Sequence, residues 1–480
     1  MNRLKRAGMA VLTATAVTLA TGRTNEGAQA PAAPTFNADI APILFAQCVT
    51  CHRPGEVAPM SLLKYEDARP WARDIKAKVL AHEMPPWPAD KQYGHFRNQH
   101  ALTDAQIATL VAWVDAGAPQ GEGSAPVPPT FVEGWTSQMN RPPDAVIEAP
   151  FEFELPASGE IPAFTVWMKA PFTGEKFIEA IELRPTNRAV VHHSNVLLAK
   201  LPAGAKLGRG EVWPGGPVLD GVPILRSGAR MVPAVSEAFG KPLLFYVPAG
   251  GFLRFPKGVA KRVQADDYLV WGFHFMTSGK VERAGARIGL WFSQGAVQHE
   301  ALTWTVTDSI AVNGKDVPRD KSGRQALPNI PPQTDQYTVT GTMKVTEDLT
   351  LYALWPHMHN RGRDMTFTLV DSRGREQTLL SVPRYDFQWQ LTYELEPPLK
   401  IRAGSTIKAV AHYDNSPANR KNPDPNQEVL WGPQSSNEMF GPFLEIVYDN
   451  RNIRDPARSD CDSLRPSDPP GGGVAPPPCR

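Results

Sequence analysis

Two hydrophobic periods divide this chain. Between residues 35 and 118 apolar positions recur at helical spacing: Trp71, Ile75 and Val79 form one stripe, and Ile107, Leu110, Val111 and Val114 another. Thr103 with Gln106 reads as a capping box, and Gly117 stands where the last helix should stop. A proline-rich connector follows, from Ala118 to about Pro143, and beyond it the period falls to two. Phe151/Phe153/Leu155, Phe164/Val166/Met168, Val190/His192/Ser194/Val196, Tyr268/Val270/Gly272/His274 and Ile288/Leu290/Phe292 all alternate. After a Pro/Gly/Asp-rich stretch from Asn313 to about Thr334, a second alternating block carries Leu349/Leu351/Ala353, Phe367/Leu369 and Ile407/Ala409. The pattern predicts a multidomain chain: an all-α domain over residues 31–120, a linker over 121–145, and two antiparallel β-sandwich (jelly-roll) domains over 146–320 and 321–453.

The ends read differently. Arg3, Lys5 and Arg6 precede an apolar run from Ala7 to Ala20, so residues 1–30 are expected to be an export signal, cut after Ala28-Gln29-Ala30 or Ala20-Thr21-Gly22. That run is short of the ~20 residues that span a bilayer, and no later segment predicts a membrane span. A periplasmic or secreted protein is expected. Residues 454–480 are Pro/Gly/Asp-rich and predict disorder. Proline, at 48 of 480 residues, is about twice its usual share, which suits a loop-rich β protein. The net charge of +1 is well mixed and gives no footprint for nucleic acid or an anionic membrane.

Four cysteines limit the chemistry. Cys461 and Cys479 lie in the tail, where a bridge and two free thiols are equally open. Cys48-Val49-Thr50-Cys51-His52 is a c-type haem attachment run, with two thioether links and His52 as the proximal ligand. A redox dithiol would not need the histidine. Helices around this run predict a class I cytochrome c domain. Met84, in a rigid Met-Pro-Pro-Trp loop, is the favoured distal ligand, with His82 and Met60 as rivals.

Six further residues could bind metal: His192-His193 with His274, and His357-x-His359 with Met439. Imidazole suits copper, zinc, iron and nickel, while a thioether favours Cu(I) over zinc. Residues two apart on a strand face the same way, so His357 and His359 can reach one ion. Pro356 is expected to end the pairing just before them. Taken alone, such a pair is more often two satisfied surface histidines; Met439 in a polar turn shifts that balance. His192 and His193 should face opposite ways unless a strand end or bulge intervenes. His299 and His412 read as structural, and His95 and His100 are unassigned.

The order and spacing of these clusters resemble the copper type II, ascorbate-dependent monooxygenases, the family of peptidylglycine α-hydroxylating monooxygenase and dopamine β-monooxygenase. The resemblance covers roughly residues 145–450. It implies two copper ions, one held by His192, His193 and His274 and passing electrons. The other is held by His357, His359 and Met439, where O₂ is activated against a substrate C–H bond. Ascorbate or another external reductant, or a redox donor protein, would supply the electrons, here entering through haem c. The substrate would be a small molecule. The chain departs from the family in having no cysteine in the copper segments. Trp355 stands where the peptide-amidating enzyme has a carboxylate-gripping arginine, and Phe443 where it has a substrate-facing tyrosine. Peptide amidation is thereby disfavoured, and Trp355, Phe440 and Phe443 suggest an apolar wall. The competing reading is a non-catalytic haem–copper electron carrier or redox sensor on the same scaffold. A zinc hydrolase is disfavoured, because no Asp or Glu base adjoins the histidines and Met439 is a poor zinc ligand.

Overall fold

Helix Asp104–Asp115 begins as its sequence requires. Thr103 accepts from the Gln106 backbone while the Gln106 side chain returns to the Thr103 backbone, and Gly117 follows at φ +86°. With helices Ala41–Gln47, Tyr65–Ala68 and Ala72–Leu80 it encloses a small core of Phe36, Ile40, Leu44, Ile75, Val79, Leu110 and Trp113. Trp71 departs from its expected stripe: it lies in the tight turn before Ala72 and is exposed. This computed structural model describes residues 33–454, apart from 132–134, 136–138, 151, 160, 162–163, 201–209, 213–215, 220–223, 227–240, 249, 320, 322–324 and 433–434. The export-signal residues 1–30 and the Cys461/Cys479 pair lie outside the described residues.

The rest of the described chain is β-sheet. In the first sandwich, one sheet runs Ala145–Glu148, Ala286–Phe292, Lys176–Pro185, Val259–Val263 and His299–Glu300, with Phe252–Arg254 also on Lys176–Pro185. The other runs Ile224–Arg226, Phe164–Lys169, Tyr268–Phe275, Val191–Ala199 and Lys241–Tyr246. Ile178, Ile181, Ile288 and Leu290 from one meet Val196, Leu198, Leu269 and Trp271 from the other in a shared core.

The second sandwich repeats the plan. A sheet of Leu302–Thr305, Gly441–Tyr448, Leu349–His357 and Tyr393–Ile401 faces one of Lys315–Asp316, Ser309–Val312, Tyr337–Lys344, Thr406–Tyr413, Gly362–Val370 and Glu376–Val382. Leu351, Leu354, Leu444 and Ile446 pack on Val339, Phe367, Ile407 and Ala409. Among the described residues no helix is long and apolar enough to cross a membrane.

Two features tie these parts together and neither was foreseen. Lys261 of the first sandwich is buried against Glu445 of the second at 2.9 Å and also donates to Thr303 and the Pro242 carbonyl. The loop after helix Ala72–Leu80 packs on the second sandwich: Trp87 and Phe96 join its core edge-on to Tyr393. Asn98 bonds to both the Thr392 carbonyl and the Glu394 amide, so the loop covers an otherwise open sheet edge.

Candidate metal centres

Strand Val191–Ala199 pairs with Tyr268–Phe275, with His193 opposite His274 and Val191 opposite Phe275. His192 is therefore the extra residue of a bulge. That irregularity turns two sequence neighbours toward one place, as their joint ligation requires. One ring nitrogen from each of His192, His193 and His274 lies within 4.8 Å of the others. The His192 and His193 rings stack at 3.9 Å. Burial, then the facing His274, lowers the pKa of His192 to about 3. Burial alone takes His274 to about 4, and burial, then the neighbouring His192 and His274, takes His193 well below its ordinary value. All three are neutral imidazoles at neutral pH, the form that binds a metal. His192 Nδ1 is buried with no hydrogen-bond partner, as an atom reserved for a metal would be.

The second cluster stands at the end of strand Leu349–His357. Pairing does not stop before Pro356: it runs on through Pro356 opposite Pro442 to His357 opposite Gly441. The proline is tolerated because the other neighbour, Tyr393–Ile401, pairs no further than Leu354. Gly441 is needed where it stands, since a Cβ there would lie 2.9 Å from the His357 Cβ. His357 Nε2 approaches Met439 Sδ at 3.1 Å. Its Nδ1 meets the Gln390 Oε1, and His359 Nδ1 meets the Asn437 carbonyl at 3.1 Å. Those oxygens only accept, so both Nδ1 atoms are protonated and both Nε2 atoms carry the lone pair. Such outer partners fix a ligating histidine's tautomer and direction. Burial lowers the pKa of His357 to about 4.

Glu438, which the sequence reading overlooked, holds this cluster in shape. Its carboxylate is fully buried and accepts from the backbone N–H of His359 at 2.8 Å, Arg361 at 2.6 Å and Met439 at 3.2 Å. Burial pushes its pKa up to about 7 against those bonds. Tyr413 Oη donates to the Met439 carbonyl at 2.8 Å. Phe387 lies between the clusters, with ring centroids 5.4 Å from His193, 5.7 Å from His274 and 5.2 Å from His359.

The apolar wall beside His357 differs from expectation in one member. Trp355 stacks on Phe443 at 4.5 Å and on Phe245 of the first sandwich at 3.6 Å. Phe440 instead turns into the second core against Gly341. A cavity of about 120 Å³ is lined by Trp355, Phe443, Phe245 and Gln390 together with Lys261 and Glu445.

In the helical segment, the backbone N–H groups of Cys51 and His52 both donate to the Cys48 carbonyl, at 3.2 and 3.0 Å, which closes the Cys48–His52 run into a single turn. His52 Nδ1 is buried without a hydrogen-bond partner, and the ring also meets the Met60 backbone. Met60 packs on the helical core, and His82 is exposed at φ +52°. Met84 is half-buried on the loop, its N–H donating to the Lys78 carbonyl. Three of the remaining histidines have local partners: the ring nitrogens of His100 face the Asn98 and Pro86 carbonyls, and His299 meets the Arg451 carbonyl and His412 the Asp364 carboxylate.

Residues 324–450 match the family model for the C-terminal domain of the copper type II ascorbate-dependent monooxygenases, and that span holds His357, His359 and Met439. The second sandwich is thus similar to a copper monooxygenase domain. No curated protein matches the chain. Among solved structures, the infectious bursal disease virus VP2 subviral particle is 9% identical over 64% of this chain and 58% of its own, with a TM-score of 0.17. Paenibacillus xanthan lyase is 12% identical over 69% of this chain and 28% of its own, with a TM-score of 0.15. Allantoicase is 9% identical over 57% of this chain and 84% of its own, with a TM-score of 0.13. Scores this low support no conclusion about fold or function.

Proposed function

We propose that the protein is an exported copper-dependent monooxygenase that hydroxylates a C–H bond of a small molecule. His357, His359 and Met439 would hold the copper at which O₂ reacts, and His192, His193 and His274 the copper that stores an electron. Cys48, Cys51 and His52 would carry a covalent haem c, with Met84 as the favoured distal ligand and His82 and Met60 as its rivals. Bound copper supplies one-electron redox chemistry, and two electrons with two protons convert O₂ and substrate C–H to an alcohol and water.

The observation that carries this reading is the donor set inside the matched domain: His357 Nε2 and Met439 Sδ converge at 3.1 Å, with Nδ1 of both histidines tied to an oxygen acceptor. A thioether in that position favours Cu(I). The chain's own residues have separable tasks. Glu438 holds the backbone of both ligand segments, and the Trp355–Phe443–Phe245 stack keeps the side of His357 apolar. An apolar stack in place of arginine and tyrosine suits a neutral substrate.

The test is copper-loaded full-length protein supplied with ascorbate or another reductant, with O₂ uptake measured against hydroxylated product. Met439→Ile should abolish coupled turnover while the haem still reduces, and Cys48→Ser should remove haem stain from the denatured chain. Reducible haem and copper with no substrate-coupled O₂ uptake would instead make the protein an electron carrier.

A further inference from the structure

One side chain is held by both histidine clusters at once. Gln390 lies in the loop between strands Glu376–Val382 and Tyr393–Ile401 and is buried. Its amide has one orientation: Nε2 donates to the Phe387 carbonyl at 3.0 Å, so Oε1 is the atom that faces His357 Nδ1. The same Nε2 reaches His193 Nδ1 at 3.1 Å. The Gln390 backbone carbonyl accepts from the Trp355 indole N–H at 3.1 Å, which anchors the loop to the wall beside His357. His193 in turn donates from Nε2 to the Gln388 carbonyl at 3.3 Å. Both nitrogens of His193 are therefore engaged by a single loop of the opposite sandwich, whereas His192 Nδ1 has no hydrogen-bond partner.

We propose that Gln390 is a positioning residue acting in opposite senses on the two clusters: it presents His357 Nε2 to a metal and withholds His193 Nδ1 from one. This rests on the copper reading above. An imidazole whose Nδ1–H is held by an oxygen keeps its lone pair on Nε2, here the nitrogen facing Met439. An imidazole that accepts a hydrogen bond at Nδ1 must surrender it before that nitrogen can bind an ion. Filling the three-histidine cluster through His193 Nδ1 thus competes with the latch that spans the two sandwiches.

Cu(I) affinity of the reduced full chain, measured by chelator competition, separates the two effects. The His359→Ala parent reports the three-histidine cluster, and the His274→Ala parent reports the other. Gln390→Ala should tighten the three-histidine cluster about tenfold, the worth of one net hydrogen bond. It should weaken the His357 cluster on the order of 10–100-fold, the usual cost of losing an outer partner of a ligand. Gln390→Glu keeps an oxygen for His357 and removes the donor to His193. It should restore the second affinity, and its Cu(II) spectrum, while leaving the first tightened. Affinities that move in the same direction at both clusters, or not at all, overturn the proposal. If the parents themselves bind no copper, the copper reading fails and this inference with it; if they bind copper and the Gln390 variants match them, only the latch fails.

Discussion

Glu438 shows what a single residue contributes. Three backbone N–H groups, from the His359–Arg361 segment and from Met439, converge on one buried carboxylate. Hydrogen bonds to a charged group are worth about 1.5–3 kcal/mol each. Glu438→Ala should therefore lower copper affinity at His357, His359 and Met439 on the order of 10–100-fold. The His192/His193/His274 cluster should be unchanged, which chelator competition on the full chain would check. The candidate ligands were legible in the sequence, because histidine pairs at set spacings and a methionine in a polar turn stand out together. Glu438, Gln390 and Phe387 were not. Their roles depend on which loop meets which, and a lone glutamate, glutamine or phenylalanine in a loop carries no periodic signal.

At the scale of elements, the change of period after the proline-rich connector marked where sheet begins, although in strand Tyr268–Phe275 the core takes Leu269, Trp271, Phe273 and Phe275 rather than the alternating set Tyr268/Val270/Gly272/His274. What it missed were departures from regularity. Alternation sends His192 and His193 to opposite sides, and only the bulge against His274 and Phe275 reunites them. The loop bearing Trp87, Phe96 and His100 was expected to belong with the helices, yet it seals an edge of the second sandwich. Trp87→Ala should cost about 3–5 kcal/mol, seen as a lower urea midpoint, because the ring is buried against Phe96, His100 and Tyr393. His100 adds a pH dependence to the same loop. Burial lowers its pKa below the ordinary 6.5, against its bonds to two carbonyls, so the unfolded chain takes up the proton first as pH falls. Its contribution is fully present above pH 6.5 and is lost as pH drops below that value toward the folded pKa. His100→Phe should flatten the stability–pH curve on that acid side relative to the parent, in which the other buried histidines still titrate.

For the whole molecule, two sandwiches meet where their histidine clusters face each other, joined by the Lys261–Glu445 ion pair, the Phe245–Trp355 stack and the Gln390 amide. This convergence could not be read from one sequence, since spacing along the chain does not reveal which ends of two domains touch. The match over residues 324–450 describes one half of that arrangement, and the three-histidine cluster supplies the other. The central claim is that these are two separate copper sites. Copper bound per chain, measured by metal analysis after loading and removal of excess, tests it most directly. The account predicts two coppers in the parent, one in His274→Ala and one in His359→Ala. A parent that holds a single copper, or takes up zinc in its place at full occupancy, or loses both metals with either substitution, would contradict it.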